Sequence, residues 1–143
     1  MAKVKWGRAV LWIVLGTLIA FLIANGFMML AMVVRGFQLR GAPPREEQIA
    51  FVVGPVYNGV AVVATALGGL LGGRATARKA EGGYALNGLL VGVGVGLLSG
   101  VYSVLQRSAF TVWSPLHLVL GVAGGYLGGL LGGKRAQADE MYD

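Results

Sequence analysis

A glycine recurs at every fourth position through an uncharged stretch of the chain, residues 84–105, which reads YALNGLLVGVGVGLLSGVYSVL. The four glycines of this ladder are Gly88, Gly92, Gly96 and Gly100. Residues four apart lie on one face of an α-helix, so these glycines would form a groove without side chains. Each internal glycine costs a helix in water about 1 kcal/mol relative to alanine. In a bilayer the backbone has no other hydrogen-bond partner, so the pattern predicts a membrane helix whose groove admits a neighbouring backbone.

The composition supports a membrane protein. Of the 143 residues, 56% are hydrophobic and 13% are charged, and the mean hydropathy is +0.71. Soluble domains contain about 25% charged residues, and a soluble chain of this length could not bury so much apolar surface. We therefore expect a single transmembrane domain over residues 1–143. The absence of cysteine excludes disulfide scaffolds and thiolate chemistry.

The apolar runs predict an all-α fold, a polytopic membrane bundle of four transmembrane helices. The predicted spans are residues 9–34, 49–73, 84–105 and 115–133. Pro55 falls inside the second span and predicts a bend there, because it removes the backbone hydrogen bond to the carbonyl of Phe51. Pro44, followed by Glu46 and Glu47, is typical of a helix start, and we expect the two glutamates to stabilise the helix end.

The basic residues predict the orientation of the bundle. The amino end, the second link and the carboxyl tail share one side of the predicted membrane and carry eight Lys and Arg residues, whereas the other side carries four. The side with the excess is expected to be cytoplasmic, which places both termini there. The same distribution explains the net charge of +6 without nucleic acid as a partner.

Further small-residue ladders predict close packing beyond the third span. The fourth span carries Gly121, Gly125, Gly129 and Gly133 at four-residue intervals, and the second span ends with Gly69 and Gly73. Three consecutive steps in two helices are typical of glycine-zipper packing. The pattern does not say whether the neighbour is in the same chain or in a second copy, so a homo-oligomer or a membrane-protein partner is expected alongside membrane lipid.

A seven-residue string, LGGLLGG, occurs twice, at residues 67–73 and 127–133, and each copy is followed by a basic residue. An offset of one helical hairpin between copies at the same side of the membrane indicates two parallel hairpin repeats. Convergence of glycine-rich helices on the same string is the other explanation, and both stay open at this stage.

The distribution of ionisable residues argues against several chemistries. All six carboxylates lie in predicted connections or in the tail, and His117 is the only histidine. Neither a metal site built from several histidines nor a Ser-His-Asp triad can be assembled. An acid inside a span, the usual mark of a proton or ion relay, is also missing. We therefore expect no enzyme activity, no catalytic residue, no metal and no cofactor.

Several polar residues are predicted at similar depths, towards the end of the bundle opposite the termini. They are Asn25, Tyr57, Asn58, Ser99, Tyr102, Ser103 and His117. One interpretation is an outward-facing polar vestibule for a solute or a lipid headgroup. The other is hydrogen bonding between helices, at about 0.6 kcal/mol for each bond.

Two further groups of polar residues are predicted near the cytoplasmic side. Asn87 could cap or cross-link helices there. Arg74, Arg78 and Lys79 could contact anionic lipid headgroups, or could serve only to orient the chain.

The junction from residue 68 to 92, GGLLGGRATARKAEGGYALNGLLVG, resembles one in small four-helix bacterial membrane proteins of uncharacterised function. In those proteins a glycine-rich helix end meets a short basic link and a second glycine-rich helix. The resemblance covers about the middle third of the chain. It implies a multi-pass protein of the bacterial inner membrane and supplies no activity.

Two functions follow as expectations. The first is a non-enzymatic membrane protein that acts through helix packing, as an assembly or accessory subunit or a scaffold. The alternative is an uncoupled channel, or a transporter of small solutes or lipids, formed by a homo-oligomer that uses the polar vestibule.

Overall fold

The computed structural model describes residues 6–38, 44–79, 82–107 and 110–140. Within these ranges the regular structure is helical: α1 (Trp6–Gln38), α2 (Arg45–Val53), α3 (Pro55–Lys79), α4 (Tyr84–Arg107) and α5 (Trp113–Glu140). All of these helices except the short α2 are long and apolar enough to cross a membrane. The predicted all-α membrane bundle of four transmembrane helices is thus confirmed.

The predicted second span is divided in the structure. Gly54 adopts an extended conformation, with φ −72° and ψ 160°, and separates α2 from α3. Pro55 has no N–H to donate to Phe51, and the Phe51 carbonyl accepts a 3.1 Å hydrogen bond from the Gly54 N–H instead. The apolar span therefore begins at Pro55 and not at residue 49, and the bend expected at the proline is a complete break. Glu46 and Glu47 occupy the first turn of α2, as expected.

The last helix is longer than the sequence pattern suggested. The predicted fourth span ends at residue 133, but α5 continues to Glu140. The added segment contains mostly good helix formers such as alanine, lysine, arginine, glutamine and glutamate, so the helix continues beyond its apolar part.

The centre of the bundle is the contact of α5 with α3 and α4. The ladder of Gly92 and its neighbours on α4 faces the backbone of α5, and a Cβ on Gly92 would lie 2.8 Å from Val122 Cα. From the other side, a Cβ on Gly121 would lie 2.8 Å from the Gly92 carbonyl oxygen. Gly69 on α3 also faces α5, where its Cβ would lie 2.7 Å from the Gly121 carbonyl oxygen. Only glycine permits such a distance between main chains.

Helix α1 lies at the periphery and packs on α3 and α4. Only 17% of its most apolar stretch is buried, against 39% to 44% in the other three spans. It approaches α3 closely at two glycines: a Cβ on Gly68 would overlap the Ala20 carbonyl oxygen, and a Cβ on Gly72 would lie 2.7 Å from the Gly16 carbonyl oxygen. Nearby, the Thr76 hydroxyl donates a 3.2 Å hydrogen bond to the carbonyl of Trp12. These contacts all involve the first half of α1.

The two LGGLLGG strings have different surroundings. In α3, Gly68 and Gly72 face α1, whereas Gly69 and Gly73 face α5. In α5, the residues equivalent to the first pair, Gly128 and Gly132, face α3, and those equivalent to the second pair, Gly129 and Gly133, face α4. In α3, the first glycine pair faces the other helix of its own hairpin, and the second pair faces the other hairpin. In α5 the assignment is reversed. The common string provides two side-chain-free faces in each helix without giving the two hairpins equivalent neighbours.

Candidate ligand-binding cleft

A cleft of about 310 Å³ lies between the second half of α1 and the helices α3, α4 and α5. Its lining includes side chains from all four long helices: Phe21, Ala24, Asn25, Met28, Met29, Met32, Val33, Tyr57, Ala61, Thr65, Ser99, Tyr102, Ser103, Gln106 and His117. The volume lies at the lower limit of the range found for ligand pockets, about 300–1,000 Å³. The cleft occupies the end of the bundle where α1 and α4 finish and α3 and α5 begin.

The cleft exists because α1 contacts the other helices closely only along part of its length. At its base Ala24 still lies in contact range of Gly68, and the rings of Phe21 and Tyr102 meet edge to face with centroids 6.2 Å apart. One turn further on, α1 presents the longer side chains of Met28, Met29 and Met32 to the cleft. Larger side chains on the facing surfaces then hold the helices apart.

A second contact attaches α1 to the bundle near its end, beyond the described lining of the cleft. The Arg35 guanidinium lies 5.4 Å from the centroid of the Phe51 ring on α2, a cation–π arrangement. Phe51 in turn meets Tyr57 of α3 edge to face, at 5.6 Å between centroids. Helix α1 is thus attached to the bundle on both sides of the cleft, at Phe21 and at Arg35.

The two walls of the cleft differ in polarity. The α1 wall is apolar apart from Asn25, and three of its side chains are the flexible methionines Met28, Met29 and Met32. The opposite wall contains mainly hydroxyl, amide and imidazole groups: Tyr57, Thr65, Ser99, Tyr102, Ser103, Gln106 and His117. Among the described residues that line the cleft, none is Asp, Glu, Lys or Arg. This described lining therefore has one apolar and one hydrogen-bonding side and no charged side chain.

A hydrogen bond between α3 and α5 fixes part of the polar wall. The His117 Nδ1 and the Thr65 hydroxyl lie 2.8 Å apart, and the same hydroxyl donates to the Ala61 carbonyl at 2.9 Å. Because a hydroxyl has one proton, a donation to Ala61 leaves Thr65 as the acceptor and His117 Nδ1 as the protonated nitrogen. His117 is 3% exposed, so burial and this bond together hold the imidazole against the wall.

Ser103 provides unused hydrogen-bonding capacity in the same wall. Its side chain is 5% exposed, and among the described residues its hydroxyl has no hydrogen-bond partner. A buried polar atom without a partner costs about 1–3 kcal/mol, so most such atoms in proteins are paired. The amide of Asn25, by contrast, donates to the Phe21 carbonyl at 2.8 Å, one turn back in its own helix.

The structure brings together six of the seven residues that the sequence suggested for a vestibule: Asn25, Tyr57, Ser99, Tyr102, Ser103 and His117. Asn58 is fully buried and is not among the residues that line the cleft. Its amide donates to the carbonyls of Gly54, at 2.6 Å, and Val52, at 3.4 Å. Asn58 therefore stabilises the break between α2 and α3, because its amide joins a carbonyl in the last turn of α2 to the carbonyl of Gly54, which also accepts the Asn58 N–H at 3.3 Å.

The predicted packing glycines lie against helices of the same chain. Those of the α4 ladder face α5, those of the α5 ladder face α4, and Gly69 and Gly73 of α3 face α5. At the ends of these ladders Gly100 lies near the Ser114 carbonyl and Gly133 near the Tyr84 ring. These faces are covered within the subunit, so they offer no free surface to another copy.

The three basic residues proposed for anionic lipid differ in their surroundings. Arg78 and Lys79 are exposed at the end of α3, whereas Arg74 is partly covered by α5. The backbone of Arg74 packs against Gly128 and Gly132, and among the described residues its Nε has no hydrogen-bond partner. Asn87, which was expected to cap or cross-link helices, donates to the Gly82 carbonyl at 3.0 Å in the turn before α4.

Sequence reasoning missed Thr65, Gln106 and the three methionines of the α1 wall. Helical spacing could have identified Thr65 and Gln106. Thr65 lies two turns from Tyr57 on the same face of α3, and Gln106 lies two turns from Ser99 on α4. Nothing in the sequence distinguished the methionines, because an apolar residue in a membrane span can face either lipid or a cavity.

Comparison of the chain with protein-family models, curated proteins and solved structures gives no match. The resemblance of residues 68–92 to small bacterial four-helix proteins stays a prediction. The geometry of the cleft therefore has to support any functional conclusion by itself.

Proposed function

We propose that this membrane protein binds a small amphipathic molecule in the cleft between α1 and the rest of the bundle. The molecule would enter the cleft from the surrounding lipid. The single observation that carries the proposal is the pairing of an apolar, methionine-rich wall with a hydrogen-bonding wall across one cavity. Polar side chains that serve only to join helices would be paired with each other. Ser103 is instead buried, lines the cleft and is unpartnered within the described residues.

The shape of the cleft favours access from the side of the bundle. Met29 on α1 and Tyr102 on α4 both line the cleft and are 71% and 44% exposed. The mouth between these helices would therefore face the surrounding lipid when the bundle is in a membrane. Methionine side chains adapt to differently shaped apolar groups, which suits a site that accepts a flexible chain.

A cleft-filling substitution tests the proposal. Ala61→Leu adds bulk to the lining, and Ala123→Leu adds the same bulk to an exposed position of α5 as a matched control. We expect native mass spectrometry of protein released from nanodiscs to find a bound amphiphile with the unchanged chain and with Ala123→Leu, and about tenfold less with Ala61→Leu, the effect of losing an apolar contact of this size. Equal occupancy in all three proteins would rule out the cleft as the binding site.

Reconstituted flux measurements separate binding from transport. If the protein is an uncoupled transporter or channel, liposomes that contain it should release or exchange the solute, and Ala61→Leu should abolish the flux. A panel of ions, neutral solutes and labelled lipids is the appropriate screen. Binding without flux would restrict the function to a receptor or carrier in the membrane.

The packing role predicted from the sequence is the second candidate, with the chain as an assembly or accessory subunit or a scaffold. The observation that favours it is the low coverage of α1, whose exposed apolar side chains include Leu22, Met29 and Phe37. Because the glycine ladders of α4 and α5 are covered within the chain, a homo-oligomer or a membrane partner would use α1. Copurification of a fixed partner from native membranes, lost when Leu22 is replaced by Trp, would support this role.

For the location, we propose the bacterial inner membrane with both termini in the cytoplasm. The excess of Lys and Arg on the side of the termini supports this orientation. The cleft would then lie in the outer leaflet. Arg78 and Lys79, exposed at the opposite end, are placed to contact anionic headgroups of the inner leaflet.

A further inference from the structure

We infer that the ligand of the cleft is an uncharged amphiphile with a hydroxyl-bearing headgroup, of the class of long-chain alcohols and monoacylglycerols. This inference rests on the proposed function and adds the chemical class of the ligand. Three independent features lead to it: the absence of charged side chains from the described part of the lining, the unpartnered Ser103 hydroxyl and the division into two walls.

The described lining disfavours an ionised headgroup. Among the residues that the structure describes, no Asp, Glu, Lys or Arg lines the cleft, so neither an anion nor a cation would find a counter-charge in this lining. Moving an ionised group from water into an uncharged, partly buried site costs much more than moving a neutral polar group that can form hydrogen bonds. Arg35, near the end of α1, is exposed and lies over the Phe51 ring, and it is not among the described lining residues.

The polar wall requires a partner that can both donate and accept a hydrogen bond. The Ser103 hydroxyl is buried and has no partner among the described residues, and the neighbouring wall presents further hydroxyl groups of Ser99 and Tyr102. An alcohol is complementary to such a group of hydroxyls, because each alcohol oxygen can donate one hydrogen bond and accept others. An ester or ether oxygen alone can only accept.

The apolar wall and the mouth define the rest of the molecule. The methionine side of the cleft faces the hydroxyl side, and its outermost member, Met29, is exposed towards the surroundings of the bundle. A volume of about 310 Å³ holds a small headgroup and the first part of a chain. The remainder of the chain would leave through the mouth into lipid, so the site would select the headgroup and tolerate different chain lengths.

Matched probes of equal chain length test the inference. The probes are a monoacylglycerol, an alkyl sulfate, which carries a fixed negative charge, and an alkyltrimethylammonium, which carries a fixed positive charge. Binding to the full chain in nanodiscs is measured by displacement of a fluorescent acyl probe. We expect the monoacylglycerol to bind at least about tenfold more tightly than either charged probe, because the charged headgroups lose hydration without a counter-charge.

Two serine variants separate the cleft from general effects on the bundle. Ser103→Ala removes the hydroxyl that lines the cleft, and Ser114→Ala removes a hydroxyl that is equally buried and unpartnered but lies outside it. We expect Ser103→Ala to weaken monoacylglycerol binding about three- to tenfold, the effect of one hydrogen bond, and Ser114→Ala to leave it unchanged. Both proteins should unfold at similar denaturant concentrations.

The outcomes distinguish the inference from the function on which it rests. Charged probes that bind as tightly as the neutral one, or a Ser103→Ala variant that binds as well as Ser114→Ala, would overturn the neutral hydroxyl ligand and leave a cleft that binds amphiphiles. If neither the neutral nor the charged probes displace the fluorescent probe, and Ala61→Leu also has no effect, the proposed function itself fails.

Discussion

At the scale of single residues, the close packing of the helices depends on glycine at positions where a Cβ atom would collide with a neighbouring main chain. Gly125 faces α4, and its added Cβ would lie 2.6 Å from both the nitrogen and the Cα of Gly92. Real Cβ atoms do not approach main-chain atoms this closely, so any larger residue would separate two helices. Gly26 on α1, in contrast, has nothing within 4 Å of the equivalent position.

These two glycines give the first prediction. Gly125→Ala should destabilise the protein by about 1–3 kcal/mol, because overpacking forces α4 and α5 apart. Gly26→Ala should be neutral or stabilising by up to about 1 kcal/mol, because alanine is the better helix former and meets no neighbour. Unfolding in mixed micelles, followed by circular dichroism, measures both. Equal stability of the two variants would show that the ladder does not hold the helices together.

At the scale of the elements, the break between α2 and α3 is the main departure from a regular helix. Gly54 and Pro55 create it, and the Asn58 side chain donates across it to the carbonyls of Val52 and Gly54. Because Phe51 of α2 contacts both Arg35 and Tyr57, the break also determines how the end of α1 is attached to the bundle.

Removal of the Asn58 amide tests this account. Asn58→Ala removes the amide donor to the carbonyls of Val52 and Gly54, so we expect a loss of about 1–3 kcal/mol of stability and faster hydrogen exchange at residues 54–58. The matched control is Asn25→Ala, whose amide bonds to a carbonyl inside a continuous, partly buried helix. That variant should lose less than about 1 kcal/mol. If exchange at the break is unchanged in Asn58→Ala, the amide is not what stabilises it.

At the scale of the whole molecule, the bundle is a three-helix core with a fourth helix attached at two places. Helices α3, α4 and α5 are joined by main-chain contacts at glycines, which leave little space between them. Helix α1 joins this core through its first half and through Arg35, and the cleft lies between the two contacts. The cleft thus arises from incomplete packing of a peripheral helix on a tight core.

The orientation of the molecule can be measured directly, because the chain contains no cysteine. Val112, in the connection at the cleft end of the bundle, and Lys134, at the opposite end of α5, are both exposed. In intact cells, a membrane-impermeant maleimide should label Val112→Cys, and it should label Lys134→Cys only after permeabilisation. The reverse pattern would place the cleft in the inner leaflet and the termini outside.

The sequence alone determined the properties that depend on neighbours along the chain. Residues 84–105 form a helix with one glycine face, and the apolar runs form four spans, because helical periodicity and apolar content are local features. Six residues of the cleft were also predicted, because polar residues at similar depth in antiparallel spans are brought to the same end of a bundle.

Only the tertiary structure decided which faces meet. The glycine ladders could have packed within or between chains, and the fold places them against helices of the same chain. Asn58 and Ser103 are both buried polar residues near one end of the bundle, yet the first binds carbonyls at a helix break and the second lines a cavity. The rotation and separation of packed helices, which depend on all the contacts at once, make that distinction.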